Sequence, residues 1–252
     1  KETSLCAEAI IDLTSKWLFR WQSRKMNLTP IYDGRPSYLM VLAVGKLGGM
    51  ELNLSSDVDL VFCYMSSKEA ADKDDKVSEF YQLLARQLIA MLHDHGLLYR
   101  VDVRLRPFGS SGPLVVSSSQ LLRYYQDHAR EWERYAMLKA RIISGEPRAA
   151  RELQCMVEGF VYRPYLDYAT IESLRRLHAL WRKEAKMRNM QNNIKMGVGG
   201  IREIEFIVQN IQLTRGGQEP RLRCSNLLGA LSVIEQERLL PSQTVDSLEK
   251  AY

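Results

Sequence analysis

Asp57 and Asp59 stand two residues apart, separated by Val58 and followed by the apolar run Leu60-Val61-Phe62. Residues two apart on an extended strand point to the same face, so this spacing sets two carboxylates side by side. Like charges that close repel each other, and apolar neighbours raise the cost. A cation between them removes the conflict, and hard carboxylate oxygens favour Mg²⁺ or Mn²⁺ over zinc. Asp102 is a third carboxylate, in a run where Val101, Val103 and Leu105 alternate with Arg100, Asp102, Arg104 and Arg106. Three carboxylates on two adjacent strands can hold two metal ions about 4 Å apart, which activates an attacking oxygen and stabilises a leaving one.

Other residues near these acids suit phosphate. Gly45, Gly48 and Gly49 allow a backbone to approach a ligand closely. Arg104 and Arg106 share the expected face of Asp102 and can neutralise phosphate oxygens as forks. Lys139 and Arg141 follow the aromatic residues Trp132 and Tyr135, and read either as phosphate ligands or as surface cations. Trp132 and Tyr135 themselves read as core residues rather than an adenine platform. Glu203 and Glu205 lie near a helix start, where a carboxylate is stabilised by the helix dipole. At i and i+2 they stand about 200° apart around a regular helix, so both face one site only if the first turn is irregular.

The elements that must position these groups can be read from periodicity. Residues 5–26 repeat apolar residues at helical spacing (Leu5, Ala9, Ile10, Leu13, Trp17, Leu18, Trp21), and Pro30, Gly34 and Pro36 break the pattern. Tyr38–Val44 and Val58–Tyr64 read as buried strands. Between them, residues 45–56 form a glycine-bearing turn with one helical turn at most. After a charged loop over 72–76, Val77–His93 reads as a helix and Leu97–Leu105 as a third strand. Beyond Pro113 the chain reads as helices over 117–130, 132–142, 148–161, 171–188, 201–215, 226–237 and 244–252. The expected fold is therefore α+β: a helical lead-in (1–36), a small mixed-sheet core (37–116) and a helical region (117–252) that completes the site.

Composition narrows the function. The formal charge of +5, from 35 basic and 30 acidic residues, is too small an excess to argue for nucleic acid alone. It is uneven, with ten basic against five acidic residues over 100–151. That local field suits a phosphate-rich substrate, or equally a set of solvated helix faces. No long basic stripe with interleaved aromatics supports an RNA partner. There is no apolar run long enough to span a membrane and no signal peptide. Four cysteines without CxxC spacing read as reduced thiols of a cytoplasmic protein. His93 and His95 have no clear partner ligand. The chain starts and stops inside helical patterns, as a piece of a longer protein does.

The glycine turn, the sequence Ser56-Asp57-Val58-Asp59 and the later Asp102 resemble the polymerase-β-type nucleotidyltransferase superfamily. One departure stands out: Lys46 follows Gly45 where the superfamily carries Gly or Ser. Four longer segments are more specific. GKLGGMELNLSSDVDLVF (45–62), RVDVRLRPFGSSGPLV (100–115), EWERYAMLKARII (131–143) and NIKMGVGGIREIEFIVQ (193–209) together resemble the glutamine synthetase adenylyltransferase/adenylyl-removing family.

That resemblance implies Asp57, Asp59 and Asp102 as catalytic metal ligands for Mg²⁺, with Glu203 or Glu205 assisting. It also implies nucleotide or phosphate contacts from Gly45, Lys46, Gly48, Gly49, Ser56, Arg104, Arg106, Lys139 and Arg141. Family members have two homologous halves, one attaching AMP to a tyrosine of glutamine synthetase and one removing it by phosphorolysis, with release of ADP. The chain resembles the removing half, because it has Glu203 where the attaching half tends to have Asp. It also has Phe108 after R-L-R-P, and Arg134-Tyr135-Ala136 in place of a His-containing segment. The implied partners are glutamine synthetase, a PII-type signal protein, AMP, ADP, ATP and inorganic phosphate. Other readings are the attaching reaction, another nucleotidyltransferase acting on a small molecule or RNA end, and a regulatory module that binds nucleotide or signal protein without turnover.

Overall fold

The structure, a computed structural model, describes residues 1–66, 75–93, 99–163, 168–187, 193–195 and 197–252. His95 and most of the expected 72–76 loop lie outside these residues. Two compact units divide the chain: Lys1–Ala129 with Lys139–Phe160, and Arg130–Leu138 with Val161–Tyr252. This division differs from the expected segments 1–36, 37–116 and 117–252, since the N-terminal helix lies within the first unit and residues 139–160 return to it.

The first unit opens with helix α1 (Glu2–Met26), which stops at Asn27 in the left-handed conformation that ends many helices. Strands β1 (Ile31–Tyr32) and β2 (Arg35–Pro36) form a small hairpin, and Asp33 and Gly34 supply the two positive φ angles its turn requires. Strand β3 (Met40–Ala43) and the single-turn helix α2 (Gly45–Gly48) lead to β4 (Val58–Tyr64). Helix α3 (Asp75–His93), β5 (Val101–Asp102), β6 (Val115–Ser117) and α4 (Ser118–Asp127) follow. Ser117 and Gln120 close a capping box at the start of α4. After α5 (Glu131–Ala136) in the second unit, β7 (Arg141–Ser144) and α6 (Pro147–Val161) complete this part of the chain.

The sheet runs β5-β4-β3-β7, and β6 also pairs with β4. Strand β3 is antiparallel to β4 and β7, whereas β4 is parallel to β5 at its start and to β6 at its end. All four residues of β3 are buried, as expected for a strand covered on both faces. Leu60, Phe62, Phe80, Leu84 and Leu88 form the centre of the core with Ile11 and Phe19 of α1. Each such burial stabilises the fold by about 2 kcal/mol.

Four expectations need correction. Residues 141 and 142, read as the end of a helix, belong to strand β7, in which Arg141, β-branched Ile142 and Ser144 pair with β3. Strand β6 lies where only a helix start was read. The third strand covers Val101–Asp102 rather than running to Leu105, since the Arg104 amide folds back onto the Asp102 carboxylate at 2.8 Å. Helix α1 has the expected period but a different buried face: Ala7, Ile11, Ser15, Leu18, Phe19 and Gln22 face inward, and Leu5, Leu13, Trp17 and Trp21 are exposed.

The second unit contains α5, α7 (Tyr168–Met187), α8 (Ile201–Arg215), α9 (Leu227–Gln236) and α10 (Ser242–Ala251). Ile204, Val208, Leu222, Leu231 and Ile234 form its core. Arg134 is buried and donates to the Val161 carbonyl at 2.7 Å while pairing with Glu131 at 3.1 Å. Tyr135 packs edge-on against Trp181, but Trp132 is exposed rather than part of the core. Among the described residues, no helix is long and apolar enough to cross a membrane.

Candidate active site

Strand β4 begins with the expected carboxylate pair. Its parallel register with β5 places Val58 beside Val101 and Asp59 beside Asp102. Val58 is fully buried and Val101 packs against the core, so alternation turns Asp59 and Asp102 together to the opposite face. Asp57 lies just before the strand. Three carboxylates thus belong to this end of the sheet, and their hard oxygens are of the donor type that suits Mg²⁺ or Mn²⁺.

The side chains stand against arginines. Asp57 pairs with Arg100 at 2.8 Å, and the amide of Val58 donates to the Arg100 carbonyl at 2.8 Å. The Asp102 carboxylate receives the Arg104 Nε at 2.8 Å as well as the Arg104 amide. The Arg104 side-chain bond is the main reason the Asp102 carboxyl lies below the usual carboxylate range. In turn the Arg104 guanidinium is pushed up, first by its bond to Asp102 and also by the charges of Asp59 and Asp57. One exposed guanidinium therefore feels all three carboxylates. Among the described residues, no three Asp, Glu, His or Cys side chains form a metal-holding group as they stand.

The glycine turn lies directly beside this edge. Gly45 has a φ of +56°, and a Cβ there would overlap the Asp59 carboxylate. The Val44 amide donates to the Asp59 carbonyl at 3.1 Å, tying the turn to the strand. Lys46 donates to Ser56 Oγ at 3.0 Å, so the lysine in the position of a small residue latches the turn to the residue before Asp57. A Cβ at Gly48 would collide with the Lys139 carbonyl oxygen.

Two of the expected phosphate ligands are engaged with this turn. Lys139 is buried and pairs with Glu51 at 2.7 Å, which rules out the surface-cation reading. Arg141 donates to the carbonyls of Gly48 at 2.6 Å and Leu47 at 3.1 Å and pairs with Glu8. Arg106 does not extend the charged face of β5, because its guanidinium donates to Val103 O at 2.9 Å, Ser110 O at 3.2 Å and Gly112 O at 3.3 Å. The roles of Arg100, Glu8 and Glu51 escaped the sequence reading. For Arg100 a signal exists, since it immediately precedes the strand that carries Asp102.

Glu203 and Glu205 belong to the second unit. Glu203 accepts from the Gly199 amide at 2.8 Å and stands 3.4 Å from both His178 Nε2 and Arg182 Nε. Glu205 is half-buried near Tyr135, whose hydroxyl pKa is raised by burial first and by the Glu205 charge second.

The chain matches known proteins over its whole length. The family model for glutamate-ammonia ligase adenylyltransferase matches residues 1–155, and that for GlnD PII-uridylyltransferase matches residues 169–252. The chain is 45% identical to the bifunctional glutamine synthetase adenylyltransferase/adenylyl-removing enzyme of Pseudomonas aeruginosa, over 100% of its own length and 26% of that protein. Proteins of the same name from Shewanella woodyi and Shewanella loihica are 44% and 43% identical, again over the whole chain and 27% of each. The chain thus spans about a quarter of the length of the curated relatives it matches. With its first 155 residues matched and its full length aligned at 43–45% identity, the chain belongs to the glutamate-ammonia ligase adenylyltransferase family.

Proposed function

We propose that this chain removes AMP from an adenylylated tyrosine of glutamine synthetase by phosphorolysis. A phosphate oxygen attacks the α-phosphorus, the bond from phosphorus to the tyrosine oxygen breaks, and the products are ADP and free tyrosine. The observation that carries the reading is the register pair of Asp59 and Asp102, with Asp57 on the same edge and the glycine turn against Asp59. Mg²⁺ or Mn²⁺ bound by these three residues would neutralise charge on the attacking and leaving oxygens. The chain's own residues do the positioning. The turn from Gly45 to Gly49 holds Asp59 in place, and the exposed Arg104 offers a cation to incoming phosphate oxygens.

The names of the relatives support glutamine synthetase as the protein substrate, and they cover both the attaching and the removing reaction. Glu203, Phe108 and Arg134-Tyr135-Ala136 favour the removing one. Both matching families are named for transferring a nucleotide to a protein, which favours a protein over a nucleic acid or small molecule as acceptor. The second name also supports a PII-type signal protein as a regulatory partner.

A paired assay with Mg²⁺ tests the assignment. ADP release and loss of AMP from modified glutamine synthetase with phosphate, without attachment from ATP to unmodified synthetase, is the expected result. Attachment from ATP alone would reverse the direction assigned here. Full turnover by a well-folded Asp59→Asn protein would remove the carboxylates from the reaction.

A further inference from the structure

Helix α1 reaches the glycine turn and its neighbours through two residues one helical turn apart, Ser4 and Glu8. Ser4 Oγ accepts the Leu52 amide at 3.1 Å in a buried contact. One turn further on, Glu8 pairs with Arg141, whose guanidinium also donates to the carbonyls of Leu47 and Gly48. Those two carbonyls end the single helical turn α2, and Leu47 O also accepts the Met50 amide at 3.1 Å. A guanidinium fork is suited to this task because it delivers several donors in one plane, and the carboxylate of Glu8 balances its charge. The same turn presses Gly45 against the Asp59 carboxylate.

We infer that Glu8 and Arg141 are positioning residues of the nucleotidyl-transfer site, clamping the Gly45–Met50 turn and through it Asp59. The reacting groups assumed are those of the proposed phosphorolysis, so the inference rests on that reading for its kinetic consequence. It differs from a phosphate-binding role for Arg141 in one decisive respect. Glu8 is an anion that repels phosphate, yet it sits in the clamp as the direct partner of Arg141.

The test uses Arg141→Lys and Glu8→Gln, both of which avoid stranding a large unpaired side chain. Two readouts are taken on each protein: the kinetic constants for phosphate, and hydrogen exchange at the amides of Gly48, Gly49, Met50 and Glu51, which are bonded within the turn. The expected result is faster exchange at these amides in both variants. With it, kcat should fall about 10- to 100-fold, as small displacements of reacting groups produce, while KM for phosphate stays close to that of the unaltered protein. The two substitutions combined should cost little more than either alone, because they break the same clamp. Unchanged exchange in both variants overturns the inference. So does a raised KM for phosphate in Arg141→Lys with kcat retained and Glu8→Gln silent. If the unaltered protein turns over neither substrate, the exchange data still decide the clamp, and only the assigned reaction falls.

Discussion

Asp59 and Asp102 are direct partners across the parallel strands β4 and β5, and both turn away from the buried Val58 and the half-buried Val101. Two carboxylates in neighbouring positions repel, and Arg104 stands beside them as counter-charge. Asp102→Asn removes the repulsion and the exposed ion pair together. These effects oppose each other, and the melting temperature without metal should move little. Addition of Mn²⁺ should raise the melting temperature of the unaltered protein by mass action but leave that of the variant nearly unchanged. A thermal melt with and without metal checks this, and an equal metal-dependent rise in both proteins would contradict it.

Gly45 allows no side chain without cost. Its φ of +56° disfavours other residues, and a Cβ would displace the Asp59 carboxylate. Gly45→Ala should destabilise the protein by about 1 to 2 kcal/mol in denaturant unfolding. Turnover should fall much further than that stability loss accounts for, since the displaced group is at the reaction centre.

Glu146 caps helix α6. Its carboxylate accepts the amides of Arg148 and Ala149 at 2.9 Å and pairs with Arg35 at 3.0 Å. The Ala149 amide is the largest cause holding this carboxyl below its usual range. A depressed folded-state pKa contributes stability above the unfolded value, and that contribution is lost as pH falls through the folded value. Glu146→Ala should therefore lower the melting temperature at neutral pH. The gap between the two proteins should narrow only once the pH drops below the ordinary carboxylate range, as melts across an acid series would register.

Local pattern carried much of this architecture. Val58–Tyr64 and Ile201–Arg215 have the bounds that periodicity and flanking glycine or aspartate imply. The pairing of Asp57 with Asp59 was legible because residues two apart on a strand share a face, whereas the placement of Asp102 beside Asp59 comes from the β4–β5 register. Strand β7 was not, since its pairing with β3 joins residues about a hundred positions apart and overrides a helical reading that ran to Ile142. The face of α1 was misread for a related reason. Tryptophans were given more weight than Ser4, Ser15 and Gln22, yet only packing shows that the small and polar side face inward. The pairing of Arg141 with Glu8 had no local signal, because the two lie 133 residues apart.

The placement of β7 also has a consequence for biosynthesis. It covers the free edge of β3, which is otherwise made of four buried residues. On the ribosome, β3 emerges about a hundred residues before its neighbour, which at bacterial or eukaryotic elongation rates means about 5 to 20 s with an unpaired apolar edge. The strand that ends this interval begins with Arg141. Sealing of the nascent sheet against aggregation and clamping of the glycine turn are therefore a single event.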